Sequence, residues 1–217
     1  MNFKAVIFDL DGTLLDTLED IANSTNKVLN SNGFPTHPLN RYCNFAGSGL
    51  EVLINRVLPE GRRDEATIEK CVQGFREDYK QNWNIKTKPY DGIADLLDTL
   101  NDRKIKLAVL SNKPHDFTLQ CVNDMLSNWH FERVQGLHEG LHPKPDPAGA
   151  QQIADFLKLS PGEILYVGDT DIDMETATAA GMFPCGVLWG FRSKKELEES
   201  GARALIEHPS EILNLLD

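Results

Sequence analysis

Apolar positions along this 217-residue chain follow two alternating rhythms. Short runs rich in β-branched residues are apolar almost throughout: Ala5-Val6-Ile7-Phe8, Lys106-Leu107-Ala108-Val109-Leu110, Ile164-Leu165-Tyr166-Val167 and Cys185-Gly186-Val187-Leu188. Strands of a parallel sheet covered on both faces read this way. Phe131-Glu132-Arg133-Val134 is a weaker run of the same kind. Stretches of helical period lie between them. Residues 91–103 carry Ile93, Leu96, Leu97 and Leu100 on one stripe, and 114–126 and 147–157 each open with a proline suited to a first helical turn. Strand alternating with helix predicts an α/β fold with a doubly wound parallel sheet.

One interval breaks the rhythm. Asp11 and Ser111 are about a hundred residues apart, where one strand–helix unit needs about thirty. The surplus reads as helical over 18–30, 50–58 and 65–83. Its breaks fall at Asn32-Gly33-Phe34-Pro35 and Pro59-Glu60-Gly61, and it holds no strand-like run. The pattern predicts a small all-helical domain inserted into the first crossover. Residues 1–15 and 88–217 then form the α/β core, and 16–87 the insert.

Composition narrows the classes. With 41% hydrophobic and 25% charged residues the chain can bury a sizeable core. A formal net charge of −11 argues against nucleic acid or an anionic membrane as partner. The four cysteines, Cys43, Cys71, Cys121 and Cys185, have neither metal-ligand spacing nor the density of a disulfide framework. No apolar signal segment precedes the first strand, and no apolar stretch approaches the roughly 20 residues that span a bilayer. The expectation is a cytoplasmic protein, monomeric or homodimeric.

Residues able to do chemistry follow predicted strands: Asp9 and Asp11 the first, Ser111-Asn112-Lys113 the second, Gly168-Asp169 the one ending at Val167. The carboxyl ends of parallel strands line one crevice, so these distant loops converge. Asp9, Asp11, Asp169 and Asp173, with Asp171 nearby, form a self-repelling set that a hard divalent cation such as Mg²⁺ resolves. Lys144 and the Ser111 hydroxyl add a positive charge and a donor for an anion, which together describe a phosphate site. Each piece alone has a plain structural use. Asp caps turns, Ser111-Asn112 can cap the next helix, Lys144 can sit in a solvated loop, and Asp169 to Asp173 can answer a helix dipole.

Taken together, Asp9-Leu10-Asp11-Gly12-Thr13, Ser111-Asn112, Lys144 and Gly168-Asp169-Thr170-Asp171-Ile172-Asp173 resemble the four motifs of the haloacid dehalogenase superfamily of phosphohydrolases, in order. The helical insert after the first motif is similar to that family's C1-type cap. Ser111-Asn112-Lys113-Pro114-His115, Lys144-Pro145-Asp146-Pro147 and Leu188-Trp189-Gly190-Phe191-Arg192 resemble its phosphoglycolate phosphatase subgroup, as does Phe45-Ala46-Gly47-Ser48-Gly49-Leu50 in the cap.

The resemblance implies a Rossmann-like core and a Mg²⁺-dependent phosphomonoester hydrolase acting on a small phosphorylated metabolite, 2-phosphoglycolate foremost. Asp9 is then the nucleophile that becomes an aspartyl-phosphate, and Asp11 the acid and base. Asp9, the Asp11 carbonyl and Asp169 hold the metal, with Asp173 behind them. Thr13, Ser111, Asn112 and Lys144 receive the phosphoryl group, assisted by backbone N–H groups near Gly12. In the cap, Gly47 and Ser48 face the leaving group, and Lys27, Arg41 or Arg56 are candidates to meet a substrate carboxylate. Ser48 can equally cap the helix that begins at Leu50. A pyrophosphatase, or a sugar-phosphate phosphatase or phosphomutase, shares this scaffold and stays open. A non-enzymatic phospho-acceptor receiver module also clusters Asp and Lys at strand ends, but it is shorter and carries no helical insert.

Overall fold

The first strand explains the architecture. In the computed structural model, which describes residues 3–216, β1 (Ala5–Phe8) is buried over its whole length. Successive side chains of a strand point to opposite faces. Val6 and Phe8 therefore enter one apolar cluster, and Ala5 and Ile7 the other. After β1 come β2 (Leu15–Asp16), α1 (Leu18–Ser31), α2 (Tyr42–Phe45), α3 (Leu50–Val57), α4 (Glu65–Asn82) and β3 (Lys88–Pro89). Then α5 (Ile93–Asp102), β4 (Lys106–Pro114), α6 (His115–Met125), β5 (Arg133–Leu137) and α7 (Ala148–Leu157) follow. The chain ends with β6 (Ile164–Gly168), α8 (Asp171–Ala179), β7 (Phe183–Val187), α9 (Lys194–Glu199), β8 (Ala204–Ile206) and α10 (Ile212–Leu216).

Six strands form one parallel sheet in the order β5-β4-β1-β6-β7-β8. Strands β4 and β6 repeat the division made by β1. Leu107, Val109, Leu165 and Val167 join one cluster, and Ala108, Leu110, Ile164 and Tyr166 the other. Helices α5 and α6 cover the first face with Ile93, Leu97, Phe117 and Val122. The second is covered by Ala150, Ile153 and Leu157 of α7 and Ala177 of α8. The predicted doubly wound parallel sheet is thus observed.

The helical insert is observed too, as α1 to α4. Helices α1 and α3 pack on α4, and Leu29, Tyr42, Ile54 and Leu58 are fully buried there, continuous with one core cluster. Its two connections to the core meet in a short antiparallel ribbon that pairs Leu15 with Pro89 and Asp16 with Lys88. Beside the ribbon, buried Asp20 accepts from the N–H groups of Lys86 (2.9 Å) and Thr87 (2.8 Å) and from the Thr87 hydroxyl (2.9 Å). One carboxylate thereby binds the start of the insert to its end.

Three details differ from expectation. Strand β4 continues past Leu110 to Pro114, with its register on β5 shifting between those residues. The weak run centres on Arg133–Leu137, and the short edge strand β8 extends the sheet beyond β7. Among the described residues no helix is long and apolar enough to cross a membrane.

Candidate active site

After β1 the backbone turns sharply, with the N–H groups of Thr13, Leu14 and Leu15 all donating to the Leu10 carbonyl. Gly12 makes the turn possible. Its φ is +90°, and a Cβ there would lie 2.3 Å from Asp169 Oδ2, so only glycine lets the two loops approach this closely. The Asp9 N–H donates to the Val167 carbonyl (2.9 Å), which fixes the end of β1 against β6.

Asp169 follows β6 and is fully buried. Its Oδ1 accepts from the Thr13 hydroxyl (2.9 Å) and its Oδ2 from the Phe191 N–H (2.8 Å). Thr13 therefore orients a carboxylate with its side chain. Asp173 stands in the first turn of α8, where Thr170 forms a reciprocal cap with it. Asp173 Oδ2 accepts from the Thr170 N–H (3.1 Å) and hydroxyl (2.6 Å), and Oδ1 from Lys144 Nζ (2.6 Å) and the Tyr166 hydroxyl (3.4 Å). Lys144 Nζ also lies 2.8 Å from Asp9 Oδ1 and donates to the Leu110 carbonyl (3.2 Å).

Asn112 acts as a strut. Its amide nitrogen donates to the carbonyls of Lys144 (3.1 Å) and Gly47 (3.2 Å), while its oxygen accepts the Lys144 N–H (2.8 Å). It neither caps the next helix nor points a free amide into the site. The Ser111 hydroxyl accepts the Lys113 N–H (3.2 Å) and lines the cavity described below.

Oxygens of Asp9, Asp169 and Asp173 lie within 4.8 Å of one another, all buried. Lys144 is the ammonium that meets this triad, so negative charge is in excess. Burial pushes the Asp9 carboxyl up to about 7; Lys144 works against that rise, and Asp173 and Asp11 add to it. Burial, then the charges of Asp9 and Asp173, hold Asp169 well above the usual carboxylate range. Burial disfavours the Lys144 charge, but Asp173 and Asp9 outweigh it and keep the ammonium protonated. Asp9 Oδ1 meets the Lys144 ammonium as a buried ion pair at 2.8 Å. A hard, all-oxygen donor set with surplus charge fits a divalent cation of the Mg²⁺ type.

Asp11 is turned away from this triad. Its carboxylate accepts from Lys113 Nζ at 2.9 and 3.3 Å, and Lys113 also donates to the Tyr79 hydroxyl of α4 (2.8 Å). A cavity of about 50 Å³ runs from Asp9, Ser111 and Asn112 toward the cap, where Gly47 and Gly49 form part of its wall. Ser48 lies between those glycines but is not a wall residue. Its Oγ is buried without a partner, and Gly49 rather than Ser48 caps α3.

None of the three basic cap residues lines the cavity. Lys27 pairs with Asp78 on the cap, Arg56 donates to the Phe45 carbonyl (3.1 Å), and Arg41 lies over the Phe45 ring (5.8 Å). The sequence reading named Lys113 and Arg192 within its motifs without giving either a role, and it missed Tyr79. Arg192 pairs with Asp171 (3.2 Å) and donates to the cap carbonyls of Cys43 and Ala46, so it fastens the cap loop to the core. Tyr79 continues the buried stripe of Cys71 and Phe75 on α4, a signal that marks it as core and not as a site residue; Arg192 lies outside any periodic stretch.

Comparison with known proteins agrees with this geometry. The family model described as haloacid dehalogenase-like hydrolase matches residues 6–187, and the chain belongs to that family. It is similar to the phosphoglycolate phosphatase of Aquifex aeolicus (strain VF5), 30% identical over 99% of this chain and 97% of that one. With the phosphoglycolate phosphatase of Nitrosospira multiformis it shares 29% identity over 98% of this chain and 95% of that one. Its fold matches a crystal structure from Lactobacillus delbrueckii subsp. bulgaricus, provisionally described as a phosphoglycolate phosphatase. The TM-score is 0.93 at 28% identity, covering 100% of this chain and 99% of that one. The chain is a phosphatase of that general type, and the receiver reading falls away.

Proposed function

We propose that this chain is a Mg²⁺-dependent phosphomonoester hydrolase with residues 16–87 as its cap. The substrate is a small phosphorylated acid, 2-phosphoglycolate being the best single candidate. One observation carries the reading: three buried carboxylates and one buried ammonium meet where Ser111 and Asn112 open onto a cavity beneath the cap. The names of the relatives add weight to the substrate. Cytoplasmic placement is supported by four cysteines that are all free.

Asp9 supplies the nucleophile. Its carboxylate is held at the end of β1 by the Lys144 ion pair, so it faces an incoming phosphorus in a fixed direction. Attack forms an aspartyl-phosphate and expels an alkoxide. Asp11 donates a proton to that oxygen, then takes one from the water that hydrolyses the acyl phosphate. Ser111 and Lys144 hold the phosphoryl oxygens, while Asn112, Thr13 and Asp173 hold Lys144 and Asp169 in place. Asp9, Asp169 and the Asp11 carbonyl would hold Mg²⁺, which would neutralise the carboxylates and spread the phosphoryl charge. Closure of the cap excludes bulk water from the reacting centre.

A panel of phosphoglycolate, pyrophosphate and hexose phosphates, assayed with Mg²⁺ and with EDTA, tests the proposal. We expect phosphoglycolate to lead in kcat/KM, activity to vanish in EDTA, and Asp9→Asn to abolish turnover. Appreciable residual hydrolysis by Asp9→Asn rejects the assigned nucleophile.

A further inference from the structure

The cavity has two chemically distinct ends. Asp9, Ser111 and Asn112 mark the end where the phosphoryl group belongs. The other end is walled mainly by Ile21, Leu50, Leu53, Phe75 and Phe117, where a charged leaving group finds few polar partners. Lys113 is the basic wall residue of this cavity. Its side chain is 5% exposed, and its ammonium touches the Asp11 carboxylate and the Tyr79 hydroxyl while lying 4.7 Å from the centre of the Tyr79 ring. A cation buried this deeply requires a counter-anion, and Asp11 provides it.

From this arrangement we infer that Lys113, braced by Tyr79, is the subsite for an anionic group on the leaving half of the substrate. Occupation of that subsite releases Asp11 for proton transfer. The inference rests on the phosphatase reading and names its substrate class: phosphomonoesters bearing a carboxylate on the carbon next to the ester oxygen. Ser111 and Lys113 lie two residues apart on β4, and both line the cavity. A short acid can bridge them, phosphoryl group at one and carboxylate toward the other. When such a carboxylate meets Lys113, it replaces Asp11 as counter-anion, and the freed Asp11 can turn to the ester oxygen. An ester with a neutral leaving group leaves the Lys113–Asp11 pair closed and the acid held away. Selectivity thus arises by exchange of ion partners, not by extra basic residues in the cap.

The test compares phosphoglycolate with ethyl phosphate, which has the same carbon count and no carboxylate. In the wild-type protein with Mg²⁺ we expect kcat/KM to favour phosphoglycolate by roughly 30- to 100-fold, the range of a charged hydrogen bond. Lys113→Met should collapse that ratio to within about 3-fold of unity. Binding to the inactive Asp9→Asn protein, followed by calorimetry, should show the same preference in Kd and lose it in the Asp9→Asn/Lys113→Met double variant. Should Lys113→Met fail to fold, Tyr79→Phe decides. It keeps the ring, removes one partner of the ammonium, and should cut the ratio by about 5- to 10-fold.

Equal rates on both esters in the wild-type protein overturn the inference while the phosphatase reading stands. So does a Lys113→Met protein that loses both activities in proportion, since Lys113 then only positions Asp11. Absence of turnover on every ester sinks the phosphatase reading and this inference with it.

Discussion

Removing divalent cation should make the stability of this protein depend on pH in an unusual direction. Asp9 is pushed from 3.8 up to about 7, chiefly by burial, so the metal-free native state holds a proton there that the unfolded chain has already released. Stability falls with rising pH wherever the native state binds more protons. From Asp9 alone it is therefore highest below about pH 4, declines between about pH 4 and pH 7, and is fully lost above. One unit is worth about 1.4 kcal/mol, so moving from about pH 5.5 to about pH 8 costs the metal-free protein ~2 kcal/mol through this group. For a chain of this size that is a fall in Tm of ~4–8 °C. Asp169 is raised for the same reason and steepens the trend. A bound divalent cation stabilises the charged carboxylates and should flatten the slope, adding ~3 kcal/mol at a hundredfold excess over Kd. Scanning calorimetry of EDTA-dialysed protein at both pH values, with and without Mg²⁺, reads this directly. The difference from Asp9→Asn isolates the contribution from other titrating groups. A metal-free wild type whose pH slope matches that of Asp9→Asn would refute the reasoning.

Two further outcomes follow from contacts between cap and core. Asp20→Ala leaves the N–H groups of Lys86 and Thr87 and the Thr87 hydroxyl without their acceptor; we expect a loss of about 2–4 kcal/mol in urea unfolding, and a loss under 1 kcal/mol would mean that water replaces the carboxylate. Arg192→Ala releases the Cys43 and Ala46 carbonyls of the cap loop; KM should rise by about tenfold while the Mg²⁺ requirement is unchanged, and an unaltered KM would remove Arg192 from any part in holding the loop.

Legibility in the sequence tracked burial. Val6, Ile7, Leu107, Val109, Leu165 and Val167 are apolar because both faces of the sheet are covered, and that continuity marked the central strands. Helix α5 was legible for a related reason, since its stripe meets a single core face. Strand β8 was not: three residues, two of them half-buried, at an edge carry too little pattern. The β2–β3 ribbon of two-residue strands has no period at all. In the site, Asp9, Asp169 and Ser111 were readable because each follows an apolar run whose direction fixes where it points, while Lys144, in the loop beyond β5, was readable from its place in the motif order. Thr13 and Asn112 were found with the right neighbours, but their side chains brace Asp169 and Lys144. Lys113 was named beside Ser111 but given no role, because the apolar run ends at Leu110 whereas β4 continues to Pro114.

The paired ribbon has a mechanical consequence. Because the excursion departs and returns through one narrow joint, its four helices can swing as a lever whose fulcrum sits just beyond the turn at Gly12. Motion at the fulcrum is small, so the carboxylate triad stays set while Tyr79, on α4 of the insert, is carried toward or away from Lys113 of the core. Every opening stroke would then break the Tyr79–Lys113 bond and every closing stroke remake it, tying admission of a new molecule to the readiness of the proton donor.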